Sequence, residues 1–377
     1  MLAQESARNV GKSLLAFTEI AGFVPVWTMA TGDADVMIGS PGEVTIADAL
    51  ARGALTVADV TAAWPVMRAA ALDVQNEPPA GRQGRSDVVV YDALGYVPTT
   101  RRASVSSTLE YQIDDVALAT VATAVGDVDA ATRLRARATG WRRLYDPDTG
   151  FLRGRDEAGA FVPDDAPFDP TAFGSDYVEA SAWQSLFPLD DVEGIEAVYG
   201  GRAGAVKKLD ELLTLTEADW ATRDPASSLF GVSPLPYHWQ GNEPSLHVSA
   251  LPFELGNRAL GQRFVAWVKA TQYHADVAGV PGNDDGGATS ATNAPPTTKK
   301  PSSRWSRTIW SRRRRTPTSS CCPTTKAPSS SSSPKRRSRS RRATAAVPSE
   351  KYTRWFGPMS TARSSSGRSS REPRRAR

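Results

Sequence analysis

Apolar residues along the first 290 positions recur mostly at three- and four-residue intervals, the spacing of one helical face. Over 7–22, Val10, Leu14, Leu15, Phe17 and Ile20 share a side and predict an amphipathic helix. Ser107, with Glu110 three residues later, reads as a capping box. It precedes a helix carrying Ile113, Val116, Leu118, Val121 and Val125, which Gly126 ends. A helix over 129–145 follows, closed by the loop DPDTGF, and further helices fall near 192–199, 203–213 and 257–273. Strand character is sparse: DVVVYDALGYV, around 88–97, reads as a short strand or an extended loop. Helices in sequential, short-looped pairs predict stacked αα-hairpins that close as an (α/α) toroid. With no internal repeat evident, a solenoid fits less well.

Composition changes this picture at the C-terminal end. Residues 288–377 hold 23 Lys and Arg against 2 Asp and Glu, a formal +21, whereas residues 1–287 sum to −17. The overall +4 therefore describes neither part. The first is acidic and long enough to bury a large core. The second is rich in Ser, Pro, Arg and Thr, with too few apolar side chains to offset its ordering entropy, and is expected to be disordered. Cys321 and Cys322 are adjacent and both fall in this tail, so the redox compartment is left open. The N-terminus shows no charged segment leading into a continuous apolar run, and no apolar stretch reaches membrane-spanning length.

Three clusters combine polar and aromatic residues suited to chemistry. In SDYVEASAWQSLF (175–187), Glu179 precedes Trp183 by four residues and Gln184 by five. A carboxyl beside an indole is desolvated, which raises its pKa and suits a general acid. Against this stands a plain helix with Trp183 in the core and Glu179 solvated, the commoner outcome for such a pattern. In YHWQGNEPSLH (237–247), Asn242 and Glu243 offer hard oxygen donors of the kind Ca²⁺ takes. His247 alone is as compatible with a core or capping histidine as with a ligand. In GVPGNDDGG (279–287), Asp284 and Asp285 read as a turn, a calcium loop or a paired-carboxylate site.

Taken in order, Glu…AWQ, GNEPS and PGNDDGG resemble the signature of glycoside hydrolase family 92, the calcium-dependent exo-α-mannosidases. Further stretches carry the resemblance: DVMIGSP…IADAL (35–50), LGYVP (94–98), SVSSTLEYQIDD (104–115), LYDPDTGFLRGR (144–155) and DVEGIEAVYGGR (191–202). It implies a mostly α chain, an incomplete (α/α)6 toroid over residues 1–291, with the basic tail at 292–377. It further implies Glu179 as general acid, although Ala180 and Ser181 stand where Gly and Asn are usual and loosen the local turn. Glu rather than Gln at 179 favours an ordinary mannoside over a mannose-phosphate linkage. Asp285, then Asp284, would supply the base that activates water. Gln184, Asn242 and Glu243 would lie near the Ca²⁺, and Trp183 and His247 would line the sugar site. The implied reaction is inverting hydrolysis of terminal α-mannosides in N-glycans or mannans, with carboxyls roughly 6.5–9.5 Å apart. Members of the family are usually secreted or periplasmic.

The resemblance stops at Ala291, where GGATSA runs into TNAPPTTKKPSSRWS. The family's N-terminal β-sandwich domain has no counterpart here. Two readings of the tail follow: translation of GC-rich coding sequence in a shifted frame, which we favour, or a basic segment for nucleic acid or membrane surfaces. Three functions remain in view. One is an α-mannosidase acting on a mannose-containing glycan. Another is an inactive remnant with at most weak sugar or Ca²⁺ binding. The weakest is a basic-tailed nucleic-acid binder. Linkage preference and oligomeric state are not legible.

Overall fold

The computed structural model describes residues 2–29, 32–33, 37–73, 84–162, 167–174, 176–223, 235–275 and 279–283. Asp284, Asp285, the boundary expected at 291 and the whole expected basic tail lie outside the described residues.

The chain is mostly α, an incomplete (α/α)6 toroid. Helix α1 (Leu2–Ala21) leads through a minimal antiparallel hairpin, β1 (Thr28–Met29) with β2 (Gly32–Asp33), into α2 (Pro41–Ala51) and α3 (Val57–Leu72). Then come α4 (Val88–Leu94), α5 (Ser104–Val125) and α6 (Val128–Arg137). A 3₁₀ turn, Gly140–Leu144, feeds a second hairpin, β3 (Tyr145–Asp146) with β4 (Phe151–Leu152), wrapped around the DPDTGF loop. After it run α7 (Val192–Val198), α8 (Arg202–Thr222), α9 (Glu243–Leu246), α10 (Leu251–Glu254) and α11 (Arg258–Thr271). Among the described residues no helix is long and apolar enough to cross a membrane.

Two large cores and a small cluster of Tyr91, Val97 and Tyr111 form among the described residues, and α5 contributes to all three. One large core gathers Ile46, Val60, Met67, Leu118, Val121 and Leu134 where α1, α2, α3 and α6 pack around the C-terminal half of α5. The other joins Val105, near the start of α5, to Trp141, Phe187, Leu212, Leu213 and Phe264. Each such fully buried side chain contributes about 1.5–3 kcal/mol relative to exposure. Local signals fix several ends. Thr56 and Asp59 close a capping box at α3, and Gly126 ends α5 as expected.

Two expectations are corrected by tertiary structure. The 88–97 segment is not extended: Val88–Leu94 is helical, because Val88 and Tyr91 bury one face and burial outweighs the β preference of the valines. Nor do Ser107 and Glu110 cap a helix. Helix α5 begins three residues earlier, after Ala103 in the left-handed region (φ 54°). Its first amides are satisfied from a distance, since Val105 and Ser106 N–H both donate to the Asp176 carbonyl (3.1 and 3.2 Å). Freed from capping, Glu110 faces elsewhere.

Candidate active site

One large cleft, about 2370 Å³, is lined by residues from every cluster the sequence singled out. It receives Glu179 and Gln184 from the first, and Trp239, Gly241, Asn242, Glu243 and His247 from the second. From the third it receives Gly282 and Asn283, the described start of the NDD motif. Asp284 and Asp285, the expected base and its alternate, lie outside the described residues.

The start of α5 builds the loop that carries Glu179. Besides the two amides on the Asp176 carbonyl, Ser104 Oγ donates to the Asp176 carboxylate (2.7 Å), and Val178 N–H donates to Ser106 Oγ (2.9 Å). Glu179 then adopts the left-handed backbone conformation at φ 49°. Only three non-glycine residues do so among those described. Such a residue costs of order 1 kcal/mol, and it persists where its surroundings over-determine it. Here they do: Ala180 and Ser181 are fully buried, Ser181 Oγ donates to the Pro236 carbonyl (2.5 Å), and Asn242 Nδ2 donates to the Glu179 carbonyl (3.1 Å). The last bond ties the AWQ-type and GNEP motifs directly together. Buried Ala180 and Ser181 thus hold the turn that the substitutions were expected to loosen.

Gln184 is buried, with Nε2 donating to the Leu235 carbonyl (2.6 Å). Asn242 caps α9 by accepting from Glu243 N–H (3.1 Å). His247 reaches the cleft with Nε2 donating to the Phe187 carbonyl (2.8 Å), and burial pushes its pKa down to about 4, so the ring is neutral.

Two placements differ from expectation. Trp183 does not line the cleft. Its ring packs edge-on against Phe151 (4.9 Å) and Tyr237 (5.8 Å), with the Lys208 ammonium 4.2 Å from its centre. It sits in a turn, not a helix, and its contacts with Phe151 and Tyr237 place it in the core. Glu179 itself is exposed at the cleft, while Trp183 is packed in the core. The indole at the cleft is Trp239, buried to 2%, whose N–H has no hydrogen-bond partner among the described residues.

One cleft-lining carboxyl with a strongly raised pKa is a residue that sequence reasoning assigned to a cap. Glu110 lines the same cleft, and burial, then the negative charge of Glu243, push it up to about 7. Only its place in the cleft-facing stripe of α5 could have disclosed this, and that stripe is visible only once the helix start is known.

Apart from the residues that line the cleft, Arg85 is fully buried between Glu43 of α2 (2.5 Å) and Asp115 of α5, and Arg137 also holds Asp115 (2.7 Å). Neighbouring Asp114 accepts from Ser40 N–H (2.7 Å), and burial pushes its pKa well up against the pull of Arg85.

The family model of the glycosyl hydrolase family 92 catalytic domain matches residues 1–294. A family GH92 α-mannosidase from Bacteroides thetaiotaomicron, solved with mannoimidazole, superposes with a TM-score of 0.61 at 25% identity. That match covers 77% of this chain and 37% of the relative. A family GH92 inverting mannosidase from the same species gives 0.62 at 26% identity, covering 77% and 39%. An uncharacterized secreted glycosidase of Arthroderma benhamiae is 25% identical over 300 residues, 71% of this chain and 36% of its own length. The chain therefore spans little more than a third of these relatives.

Proposed function

The chain belongs to glycosyl hydrolase family 92, matched over residues 1–294, and from that premise we propose that it serves inverting hydrolysis of terminal α-mannosides assisted by Ca²⁺. The observation that carries the reading is Glu179, held in a left-handed conformation at a cleft that also receives Asn242, Glu243 and the start of the NDD motif. The two mannosidases with similar structures support the substrate class, and one of them is described as inverting.

In this reading Glu179, exposed at the cleft, donates its proton to the departing glycosidic oxygen. A carboxylate on the opposite face of the sugar takes a proton from the attacking water. Asp285, two residues after Asn283 in sequence, is assigned that role, with Asp284 between them as alternate. Neutral His247 and Trp239 shape the sugar pocket. Gln184, Asn242 and Glu243 offer amide and carboxylate oxygens, the donor chemistry Ca²⁺ prefers. Amide oxygens and sugar hydroxyls would serve the ion alongside carboxylates. The ion, when bound, supplies positive charge that orients sugar hydroxyls.

The test uses the protein that carries this chain, with proton NMR following product. β-Mannose should appear first from an α-mannoside. Glu179→Gln should lower turnover of a poor-leaving-group mannoside by about 10²–10⁴-fold and that of an activated aryl mannoside much less. α-Mannose as first product overturns inversion, and an unchanged rate in the variant overturns the assignment of Glu179.

A further inference from the structure

Among the described residues, Glu110 is the one titratable group at the cleft that the mechanism above does not use and whose environment is strongly perturbed. Helix α5 presents Ala103, Ser106, Leu109, Glu110 and Ile113 to the cleft, a spacing of three, three, one and three that marks a single helical face. On that stripe Glu110 carries the only charge. Among the described residues none hydrogen-bonds its carboxyl, although the chain is otherwise dense with Arg–carboxylate pairs.

The fold holds this side chain in place from behind. One turn further along α5, Asp114 accepts the Ser40 amide, which fixes the 37–40 loop against the helix. Gly39 of that loop lies directly on Glu110: a Cβ added there would come 2.8 Å from the Glu110 Cβ and 3.1 Å from its Oε2. Gly39 is also at φ 76°, so the position is closed to side chains both by conformation and by space. A carboxyl backed by a glycine, placed at a cleft, half-buried and left without an intramolecular partner, is costly unless something else engages it.

We propose that Glu110 is a substrate-binding residue of this cleft, its carboxyl hydrogen-bonding hydroxyls of a pyranose seated between α5 and the Asn242–Glu243 loop. The inference rests on the reading of the cleft as a glycosidase site but names a residue outside the acid, base and calcium assignments. A carboxyl presents two oxygens, enough to take hydrogen bonds from a pair of adjacent sugar hydroxyls.

Binding of methyl α-mannoside, methyl α-glucoside and methyl α-galactoside to the intact protein is measured by titration calorimetry, with thermal melting in parallel. Glu110→Ala should weaken binding of the preferred sugar about tenfold or more, as loss of hydrogen bonds of about 1.5 kcal/mol predicts. Glu110→Gln, which keeps a donor and an acceptor, should restore it to within about threefold, with no loss of melting temperature in either variant. Equal affinity in Glu110→Ala and wild type overturns the proposal and leaves the mannosidase reading standing. Preference for glucoside or galactoside, still weakened by Glu110→Ala, sustains Glu110 and sinks the mannose assignment. Failure of the wild type to bind any of the three overturns both.

Discussion

Gly241 and Gly282, forty-one residues apart, lie backbone against backbone at the cleft. A Cβ on Gly241 would come 2.8 Å from the Gly282 amide nitrogen, and one on Gly282 would run into the Gly241 carbonyl. This contact brings the GNEP and PGNDD motifs together. No alanine fits either position, and Gly282 also needs φ 63°.

Gly282→Ala should therefore destabilise the protein by about 2–3 kcal/mol, combining left-handed strain with overpacking. Gly241→Ala should cost about 1–3 kcal/mol, since its Cβ would also meet the Trp239 ring. Denaturant unfolding of both variants checks this. Wild-type stability in either would mean the two loops do not touch in solution.

Trp183 is core rather than sugar platform. Trp183→Ala should cost about 3–5 kcal/mol, the usual range for an emptied indole site. Trp183→Phe should cost less and leave the affinity for methyl α-mannoside unchanged in whatever fraction remains folded. A selective loss of affinity with intact stability would return Trp183 to the sugar site.

The Glu43–Arg85–Asp115–Arg137 chain crosses from α2 to α5 and α6 with every side chain no more than about a twentieth exposed. Removing Arg85 strands the buried Glu43 carboxylate and leaves Asp115 to Arg137 alone, so Arg85→Ala should destabilise by about 3–5 kcal/mol. Arg85→Ala with Glu43→Ala should be less destabilising than the sum of the single changes, because one stranded charge is gone. Additivity of the two would show that the pair is not coupled.

Glu110 gives a pH dependence of definite sign. Its folded pKa, about 7, lies above the usual carboxylate value, so the fold retains a proton that the unfolded chain gives up. Its contribution to stability is present below the unfolded value and is lost as pH rises toward about 7. Glu110→Gln, which never ionises, should be equal to wild type near pH 4 and more stable at pH 8 by up to about 3 kcal/mol. Unfolding of both proteins across that range provides the comparison. A gap that closes as pH rises would contradict the burial of this carboxyl. A side chain that destabilises the fold at working pH is one whose presence serves function.

What the sequence determined by itself was the local and the linear. Three-to-four spacing of apolar residues gave the helices, Gly126 gave the end of α5, and the ordered motifs gave the family and a set of candidates. Of the described candidates, Glu179, Gln184, Asn242, Glu243 and His247 share the cleft. Tertiary structure alone decided the rest. Helix α5 starts at Ser104 because Asp176, some seventy residues away, receives its first amides, and that shift turns Glu110 from a cap into a cleft carboxyl. The valines after Asp87 form a helix because burial of Val88 and Tyr91 overrides local preference. Trp183 turned inward and Trp239 came to the cleft because ring partners such as Phe151 and Tyr237 are assembled from distant segments. Periodicity is a property of neighbours in sequence. Desolvation, hydrogen-bond partners and close approach are properties of neighbours in space, and only chain closure specifies those.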